Sequence, residues 1–411
     1  MSREPDKQLL TALDIGTSKV VAIVAEVNEG GRVNIIGFGT QPSKGLKKGV
    51  IVNIDATVKA IQKAIEEAEH MADCEIGSVC VGIAGSHINS FDSTGVVAIR
   101  NSEVYPDDVE RVIDAAKAVP LPADQRILHI LPQDFLIDGQ GGIKEPVGIS
   151  GVRLEAKVHM VTGSISAVQN IVKCVNRCGV EVSDVVLEQL ASSYAVLTED
   201  EKELGACLVD IGGGTSDIAV FLHGAIRHTK VIPIAGAQVT NDLAHALRIP
   251  TDVAEEVKIN YGNALMRTVR DGEVVEVPDI AGRTTRRLPA QTLASVVEAR
   301  CEELLTLIYE DLNKKGLLDQ LAAGIVLTGG AAKMRGLIEL AEEVFRVPVR
   351  LGVPQYVTGL SDIMHNPMHA TGAGLLLYSQ SQQTESIPFD SDETDRDGIW
   401  RKMTRWFSNH F

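Results

Sequence analysis

Residues 206–222 read ACLVDIGGGTSDIAVFL, and residues 9–27, LLTALDIGTSKVVAIVAEV, follow the same pattern. Each stretch consists of an apolar strand that ends in Asp, a turn of small residues and a second apolar strand. Asp14 and Asp210 hold equivalent places in the two copies. A repeated unit of this kind indicates two like-built domains that face one another across a cleft. Because helical and strand-like segments alternate along the chain, we predict an α/β fold class.

The turn after each strand predicts a site for a polyphosphate. Glycine permits positive φ and a close approach of the backbone to a ligand, so that N–H groups and hydroxyls can point at an anion. An Asp at each strand end cannot bind phosphate directly, but it can hold a hydrated Mg²⁺. We therefore predict that Asp14 and Asp210 bind the metal through water. The predicted phosphate-binding residues are Gly16, Thr17, Ser18, Lys19, Gly212, Gly213, Gly214 and Thr215.

A third glycine turn follows the apolar strand GIVLT at 324–328 and suits contact with a nucleoside. The chain contains neither G-x-x-x-x-G-K-[ST] nor G-x-G-x-x-G, which argues against a P-loop and a Rossmann dinucleotide site. One such turn alone would be an ordinary β-turn, but two copies in the same strand context and a third turn favour a nucleotide site. The predicted nucleoside contacts are Gly329, Gly330, Ala331 and Lys333.

In order, these segments resemble the phosphate-1, phosphate-2 and adenosine motifs of the actin, Hsp70 and sugar-kinase superfamily. EQLASSY at 188–194 resembles the first connecting helix, and AEEVK at 254–258 resembles the segment that contacts the ribose. The resemblance implies ATP and Mg²⁺ as cofactors and a water-orienting role for Glu188. A solvated helix residue is the alternative for Glu188, since relatives usually have Pro where this chain has Gln189. The further nucleotide contacts are Gly236, Glu255 and Lys258.

Within the superfamily, the chain resembles the FtsA family of bacterial cell-division actin homologues. The likeness runs from residue 8 to the C-terminus and includes KGLKKGVIVNID at 44–55 and VGIAGSHI at 81–88. It implies duplicated actin-like (ribonuclease-H-like) domains around a nucleotide cleft, with an inserted subdomain and a C-terminal amphipathic helix. The predicted segments are a first core at 1–85 and 163–204, an insert at 86–162, a second core at 205–237 and 317–378, its subdomain at 238–316, a flexible acidic linker at 379–398 and a membrane-binding helix at 399–411.

The last segment has the pattern of a helix that lies in a lipid interface. At about 100° per residue, its apolar side chains fall within an arc of about 120°, opposite three basic residues. Such a helix is only about 20 Å long, which is too short to cross a bilayer. Packing on the protein's own core is the alternative, but the acidic, apolar-poor residues 379–398 favour a tether. The predicted membrane contacts are Ile399, Trp400, Arg401, Lys402, Met403, Arg405, Trp406 and Phe407.

The net charge of −16 argues against nucleic-acid binding, because an acidic chain repels phosphates. Four arginines, Arg283, Arg286, Arg287 and Arg300, therefore stand out as a basic region, although a solvated loop would also explain them. The resemblance to FtsA implies that this region binds the C-terminal tail of the tubulin-like FtsZ. It also implies that 86–162 joins neighbouring subunits into a homopolymer and that other division proteins are partners.

The first ten residues are polar and charged, so we expect a cytoplasmic chain. Three cations in the terminal helix favour the anionic lipids of the inner membrane's cytoplasmic face. The predicted function is therefore to tether FtsZ filaments to the inner membrane at the division site. A PilM-like pilus scaffold, a small-molecule kinase and a chaperone ATPase are alternatives on the same fold. Whether the chain hydrolyses ATP stays open.

Overall fold

The computed structural model describes residues 8–28, 30–278 and 285–384. The predicted membrane helix at 399–411, most of the predicted linker and Arg283 lie outside these described residues. Two β-sheets with flanking helices form two cores, and a four-stranded sheet forms an insert in the first core. One cluster of buried apolar side chains fills the first core and extends onto one face of the second sheet, and the second core and the insert have clusters of their own. Among the described helices, none is long and apolar enough to cross a bilayer.

The first core begins with the three-strand unit that the sequence predicts. Its elements are β1 (Leu9–Ile15), β2 (Lys19–Val27), β3 (Val33–Pro42), β4 (Leu46–Lys47), β5 (Val50–Ile51), α1 (Ile54–Ala72) and β6 (Ser78–Ile83). β1 and β2 pair antiparallel around the glycine turn, while β6 lies parallel to β1 on its other side. The side chain of Asn53 caps α1 by accepting a hydrogen bond from the backbone N–H of Ala56.

The insert is a small sheet covered by one amphipathic helix, and the chain then returns to the first core. The insert contains β7 (Asn89–Ala98), α2 (Pro106–Lys117), β8 (Gln125–Ile137), β9 (Gln140–Ile143) and β10 (Arg153–Ser164). The returning elements are α3 (Ile165–Asn176), β11 (Glu181–Leu187), α4 (Glu188–Val196) and α5 (Glu199–Leu204). The strand order in the insert is β7-β10-β8-β9, and α2 packs on β7 and β10.

The second core repeats the opening unit. Its elements are β12 (Ala206–Ile211), β13 (Ser216–Leu222), β14 (Ala225–Ile232), α6 (Gly236–Leu247), α7 (Thr251–Tyr261), β15 (Val274–Pro278), β16 (Thr285–Pro289), α8 (Ala290–Lys314), β17 (Gly324–Thr328), α9 (Leu337–Phe345) and β18 (Val349–Leu351). β12, β13 and β14 pair antiparallel in sequence, and β17 lies parallel to β12, as β6 lies parallel to β1. This equivalence confirms the predicted duplication.

The last described elements return to the first core, which corrects the predicted boundaries. They are β19 (Val357–Gly359), α10 (Ser361–Met364) and α11 (Ala370–Thr384). β19 pairs with β3, completing the order β11-β6-β1-β2-β3-β19, and α11 packs on β1, β6 and α4. The segment from Val357 onward therefore belongs to the first core and not to the second, in which 317–378 was predicted. Residues 379–384, predicted as linker, continue α11.

The insert contacts the second core as well as the first. The hydroxyl of Ser90 donates to the carbonyl of Thr229 at 2.9 Å, and the side-chain amide of Gln133 donates to the carbonyl of Ile226 at 2.9 Å. The buried ring of His159 hydrogen-bonds the Thr229 hydroxyl at 2.9 Å. These hydrogen bonds hold the insert against β14, which is an edge strand of the second sheet.

Candidate functional site

A cavity of about 640 Å³ lies between the two cores. The ends of β1, β12 and β17 open onto it, because corresponding strands of the two sheets point their glycine turns toward the same cleft. All the residues predicted to contact nucleotide line this cavity, and Glu188 and Arg300 line it too. The lining set is Asp14, Gly16, Thr17, Ser18, Lys19, Asp210, Gly212, Gly213, Gly214, Thr215, Gly236, Glu255, Lys258, Gly329, Gly330, Ala331 and Lys333.

The two hairpin turns have the same internal hydrogen bond and touch one another. The N–H of Gly16 donates to the carbonyl of Lys19 at 2.9 Å, and the N–H of Gly212 donates to the carbonyl of Thr215 at 3.0 Å. A Cβ at Gly214 would lie only 2.5 Å from the hydroxyl oxygen of Thr17 in the opposite turn. None of the hairpin glycines has positive φ. Their role here is therefore to allow close approach, and not to adopt a left-handed backbone.

Four carboxyl groups meet at the floor of the cavity. Burial raises the pKa of Asp14 to about 6, with a further contribution from Asp210 and an opposing one from Lys19. Burial also raises the pKa values of Glu188 and Asp210. Asp217 lies directly opposite Asp210 in the β12–β13 ladder, and burial raises its pKa to about 8. Four buried carboxyl groups brought together in this way are suited to a bound positive ion.

Asp217 also lines the cavity, although it is not among the residues predicted from the sequence motifs. Its Oδ2 accepts a hydrogen bond from the Thr215 hydroxyl at 2.9 Å, whereas its buried Oδ1 has no hydrogen-bond partner among the described residues. The spacing of Asp210 and Asp217 in the sequence could have indicated this residue, because residues equidistant from the centre of a hairpin turn face each other across the two strands. Asp210 and Asp217 satisfy that relation around the GGGT turn.

Two of the lysines that line the cavity come from different cores. Lys19 Nζ donates to the Met368 carbonyl at 2.8 Å and lies 3.2 Å from Nδ1 of His369. Burial lowers the pKa of Lys19 to about 8, although Asp14 and Asp210 oppose this. Lys258 Nζ contacts Glu255 Oε2 at 2.7 Å, at the side where the resemblance implies the ribose.

The donor set fits a magnesium-bound nucleotide. N–H groups, hydroxyls and lysines suit phosphate oxygens, Glu255 and Lys258 suit sugar hydroxyls, and the carboxylates suit a divalent ion. Within the described ranges, no group of three or more His, Cys, Asp or Glu side chains is arranged to hold a metal directly. Because Mg²⁺ commonly keeps several waters in its coordination shell, Asp14 and Asp210 could hold it through water.

The predicted partner-binding arginines are not equivalent. Arg286 donates to the last carbonyl of α6, which is a stabilising position for a cation at a helix C-terminus. Arg287 is exposed and pairs with Glu276 at 2.9 Å. Arg300 forms a two-bond pair with Asp242 and lines the cavity, so its charge is already neutralised. Of the two salt-bridged arginines, Arg287 is therefore the more accessible, with 76% of its side chain exposed against 26% for Arg300.

Comparison with known proteins identifies the family. The family model described as Cell division protein FtsA matches residues 207–374, and the SHS2 domain inserted in FtsA matches residues 85–162. The FtsA protein of Pseudomonas aeruginosa is 57% identical over 411 residues, covering 98% of each chain. The chain belongs to the FtsA family of cell division proteins. FtsA of Escherichia coli K12 is 47% identical over 420 residues and is covered completely.

Solved structures confirm the actin-like fold of this FtsA family member. The PilM-PilN type IV pilus biogenesis complex aligns with a TM-score of 0.65 at 16% identity, covering 90% of this chain and 98% of that chain. MreB5 of Spiroplasma citri bound to ADP aligns with a TM-score of 0.56 at 15% identity, covering 92% and 98%. At these identities the structures show the fold alone. The predicted resemblance to FtsA is thus confirmed by the sequence relatives.

Proposed function

We propose that this protein binds Mg·ATP in the interdomain cleft, polymerises on the cytoplasmic face of the inner membrane and tethers FtsZ filaments there. The observation that carries the nucleotide part is that two equivalent hairpins, predicted from a sequence repeat, line one cavity from opposite sides. The MreB5 structures, bound to ADP in one case and AMPPNP in another, support the choice of an adenine nucleotide.

Different residues of the chain would bind the phosphates, the metal ion and the nucleoside. The turns at 16–19 and 212–215 would hold the phosphates through N–H groups and hydroxyls, with Lys19 adding charge. Asp14 and Asp210 would orient the water shell of Mg²⁺. Bound Mg²⁺ supplies positive charge that neutralises phosphate oxygens. The third turn, at 329–333, would contact the nucleoside, and apolar neighbours would exclude water from it.

The cavity contains carboxyl groups that could support slow ATP hydrolysis, although the proposed function does not require hydrolysis. Glu188 begins α4 in the cavity wall, where its carboxyl group could orient a water near the phosphates. Asp217, whose buried Oδ1 has no partner in the described part of the chain, offers a second group for the same water. Both groups have raised pKa values, mainly because of burial. We therefore assign a water-positioning role to Glu188 and extend the assignment to Asp217.

Membrane binding is assigned from the sequence of 399–411. One short amphipathic helix binds lipid reversibly, and a polymer would present many helices at once, so avidity would hold the array on the membrane. The insert, 86–162, would join neighbouring subunits. The FtsZ tail would dock on the 238–316 subdomain, steered by Arg287 and its neighbours and bound mainly through apolar contacts.

A reconstitution experiment tests this function. FtsZ, ATP and vesicles containing anionic lipid would be mixed with the full chain, with the chain lacking 399–411, or with neither. We expect FtsZ to sediment with vesicles only when the full chain is present. Equal FtsZ sedimentation with the truncated chain would refute the tethering proposal.

A PilM-like scaffold remains the second candidate because the PilM-PilN complex shares the fold. Such a scaffold would not require the terminal amphipathic helix for membrane association. The truncated chain therefore separates the two candidates, since only tethering through 399–411 predicts that direct vesicle binding is lost.

A further inference from the structure

Two helices in close contact, α4 and α11, lie at the junction of the two cores. α11 packs on the first core, whereas α4 contacts strands of both cores. Their backbones meet at Gly374, where an added Cβ would lie 1.9 Å from the carbonyl oxygen of Ala191. Only a glycine allows so close a crossing, and it fixes the neighbouring side chains on both helices. Ser192 and Thr371 project from this crossing.

Both hydroxyls converge on one carboxylate oxygen of the second core. Ser192 Oγ donates to Asp210 Oδ2 at 2.7 Å, and Thr371 Oγ1 lies 3.2 Å from the same oxygen. The two hydroxyl oxygens are 3.1 Å apart. Ser192 is fully buried, and Thr371 and Asp210 are each 7% exposed. This three-membered cluster thus joins α4 and α11 to the end of β12.

The cluster leaves the other oxygen of Asp210 with a defined orientation. Asp210 Oδ1 lies beside Gly329, where an added Cβ would approach it within 2.3 Å. The carboxylate is therefore held from one side by the two hydroxyls and limited on the other by the third glycine turn. A carboxylate bound through one oxygen cannot rotate freely, which matters for a group that must align water around a small, strongly hydrated ion.

We propose that Ser192 and Thr371 are positioning residues that orient Asp210 toward hydrated Mg²⁺. Their hydroxyls come from two different helices, of which α11 packs on the first core, so groups outside the second sheet set the orientation of this carboxylate. The inference rests on the proposed binding of Mg·ATP and deepens it by naming the residues that orient the carboxylate toward the ion.

Paired substitutions at these positions test the inference. Thr371→Val removes the hydroxyl and keeps the shape, while Thr371→Ser keeps the hydroxyl and removes a methyl group. Ser192→Ala removes the other hydroxyl. For each full-length variant, ATP affinity is measured by calorimetry with Mg²⁺ and again with EDTA, and apo thermal stability is measured by circular dichroism.

We expect wild type to bind ATP more tightly with Mg²⁺ than with EDTA. Thr371→Val and Ser192→Ala should each lose about tenfold of that magnesium-dependent gain, since a hydrogen bond to a charged group is removed. Their affinity in EDTA should be unchanged, and Thr371→Ser should retain the gain.

An unchanged gain in Thr371→Val and Ser192→Ala would overturn the inference. Equal losses with and without Mg²⁺, in all three variants, would also overturn it, because they would show a purely structural role. If wild type itself shows ATP binding without any magnesium dependence, the magnesium part of the proposed function fails, and the inference fails with it. The wild-type measurement therefore distinguishes the two failures.

Discussion

Replacing Gly214 with Ala should hold the two phosphate turns apart without removing any charged or hydrogen-bonding group. The added Cβ would lie 2.5 Å from Thr17 Oγ1 and 2.9 Å from both Thr17 Cβ and Cγ2. Rotation of the Thr17 side chain cannot relieve this, because its own Cβ is one of the close atoms. The backbones must therefore separate by about 1 Å to restore an ordinary contact.

The magnitude follows from the cost of overpacking. Inserting a methyl group into a filled contact costs about 1–3 kcal/mol. Since Gly214 lacks positive φ, alanine meets no backbone penalty there, and the cost falls on cleft closure. Without nucleotide the cleft can open to accommodate the methyl group, so apo stability should change little. ATP affinity should fall by roughly ten- to a hundredfold, at about 1.4 kcal/mol per factor of ten.

Calorimetry of Mg·ATP binding measures the effect, and thermal unfolding with and without ATP gives an independent check. At an ATP concentration of a hundred times the wild-type Kd, wild type gains about 2.7 kcal/mol, whereas a variant with hundredfold weaker binding gains about 0.4 kcal/mol. Gly77→Ala is the matched control, because an added Cβ there meets no described atom within 4 Å and its φ is also not positive. Wild-type ATP affinity in Gly214→Ala would refute closure of the two turns around the nucleotide.

Three other predictions concern the metal site, the partner surface and the membrane helix. Because burial raises the pKa of Asp14 to about 6, this carboxylate becomes protonated as pH falls from 7.5 to 5.5. The gain in ATP affinity that Mg²⁺ provides should therefore decrease over that range in wild type. Calorimetry should show that this gain changes less with pH in Asp14→Asn. Arg287→Ala should weaken binding of an acidic FtsZ tail peptide and reduce the salt dependence of that binding. It should change the free energy of unfolding by less than about 0.5 kcal/mol, because the ion pair between Arg287 and Glu276 is exposed. An unchanged affinity in peptide titration would exclude Arg287 from the FtsZ-binding surface. Trp406→Ala should reduce sedimentation with anionic vesicles, whereas Ser408→Ala, on the polar side of the helical projection, should not; equal losses would contradict an oriented helix.

The duplicated hairpins made most of the fold predictable. Each copy contains its strand, its terminal Asp and its glycine turn within one short segment, 9–27 or 206–222, so the pattern can be recognised from local sequence. The fold class, the duplication and the FtsA family followed from these motifs and their order. The gathering of all the predicted nucleotide contacts in one cavity follows from the same symmetry, since equivalent strand ends face each other across the cleft.

Long-range pairings could not be inferred in this way. β19 returns to pair with β3, so that Val357 lies opposite Val33, and no local pattern encodes that partner. Arg300 appeared to be an available cation, yet Asp242, far from it in sequence, neutralises it. Similarly, the cluster of Ser192, Thr371 and Asp210 depends on a helix crossing that exists only in the folded chain.

Binding of Mg·ATP to the full chain, compared with Asp210→Ala, tests the central claim most directly. Asp210 lies in the second hairpin, borders the cavity and accepts hydrogen bonds from the hydroxyls of Ser192 and Thr371. Its loss should therefore remove the magnesium contribution to ATP affinity. Calorimetry with Mg²⁺ should show much weaker ATP binding to Asp210→Ala than to wild type, with similar apo folding by circular dichroism. Equal Mg·ATP affinity in the two proteins would contradict a nucleotide site closed by the two aspartate hairpins.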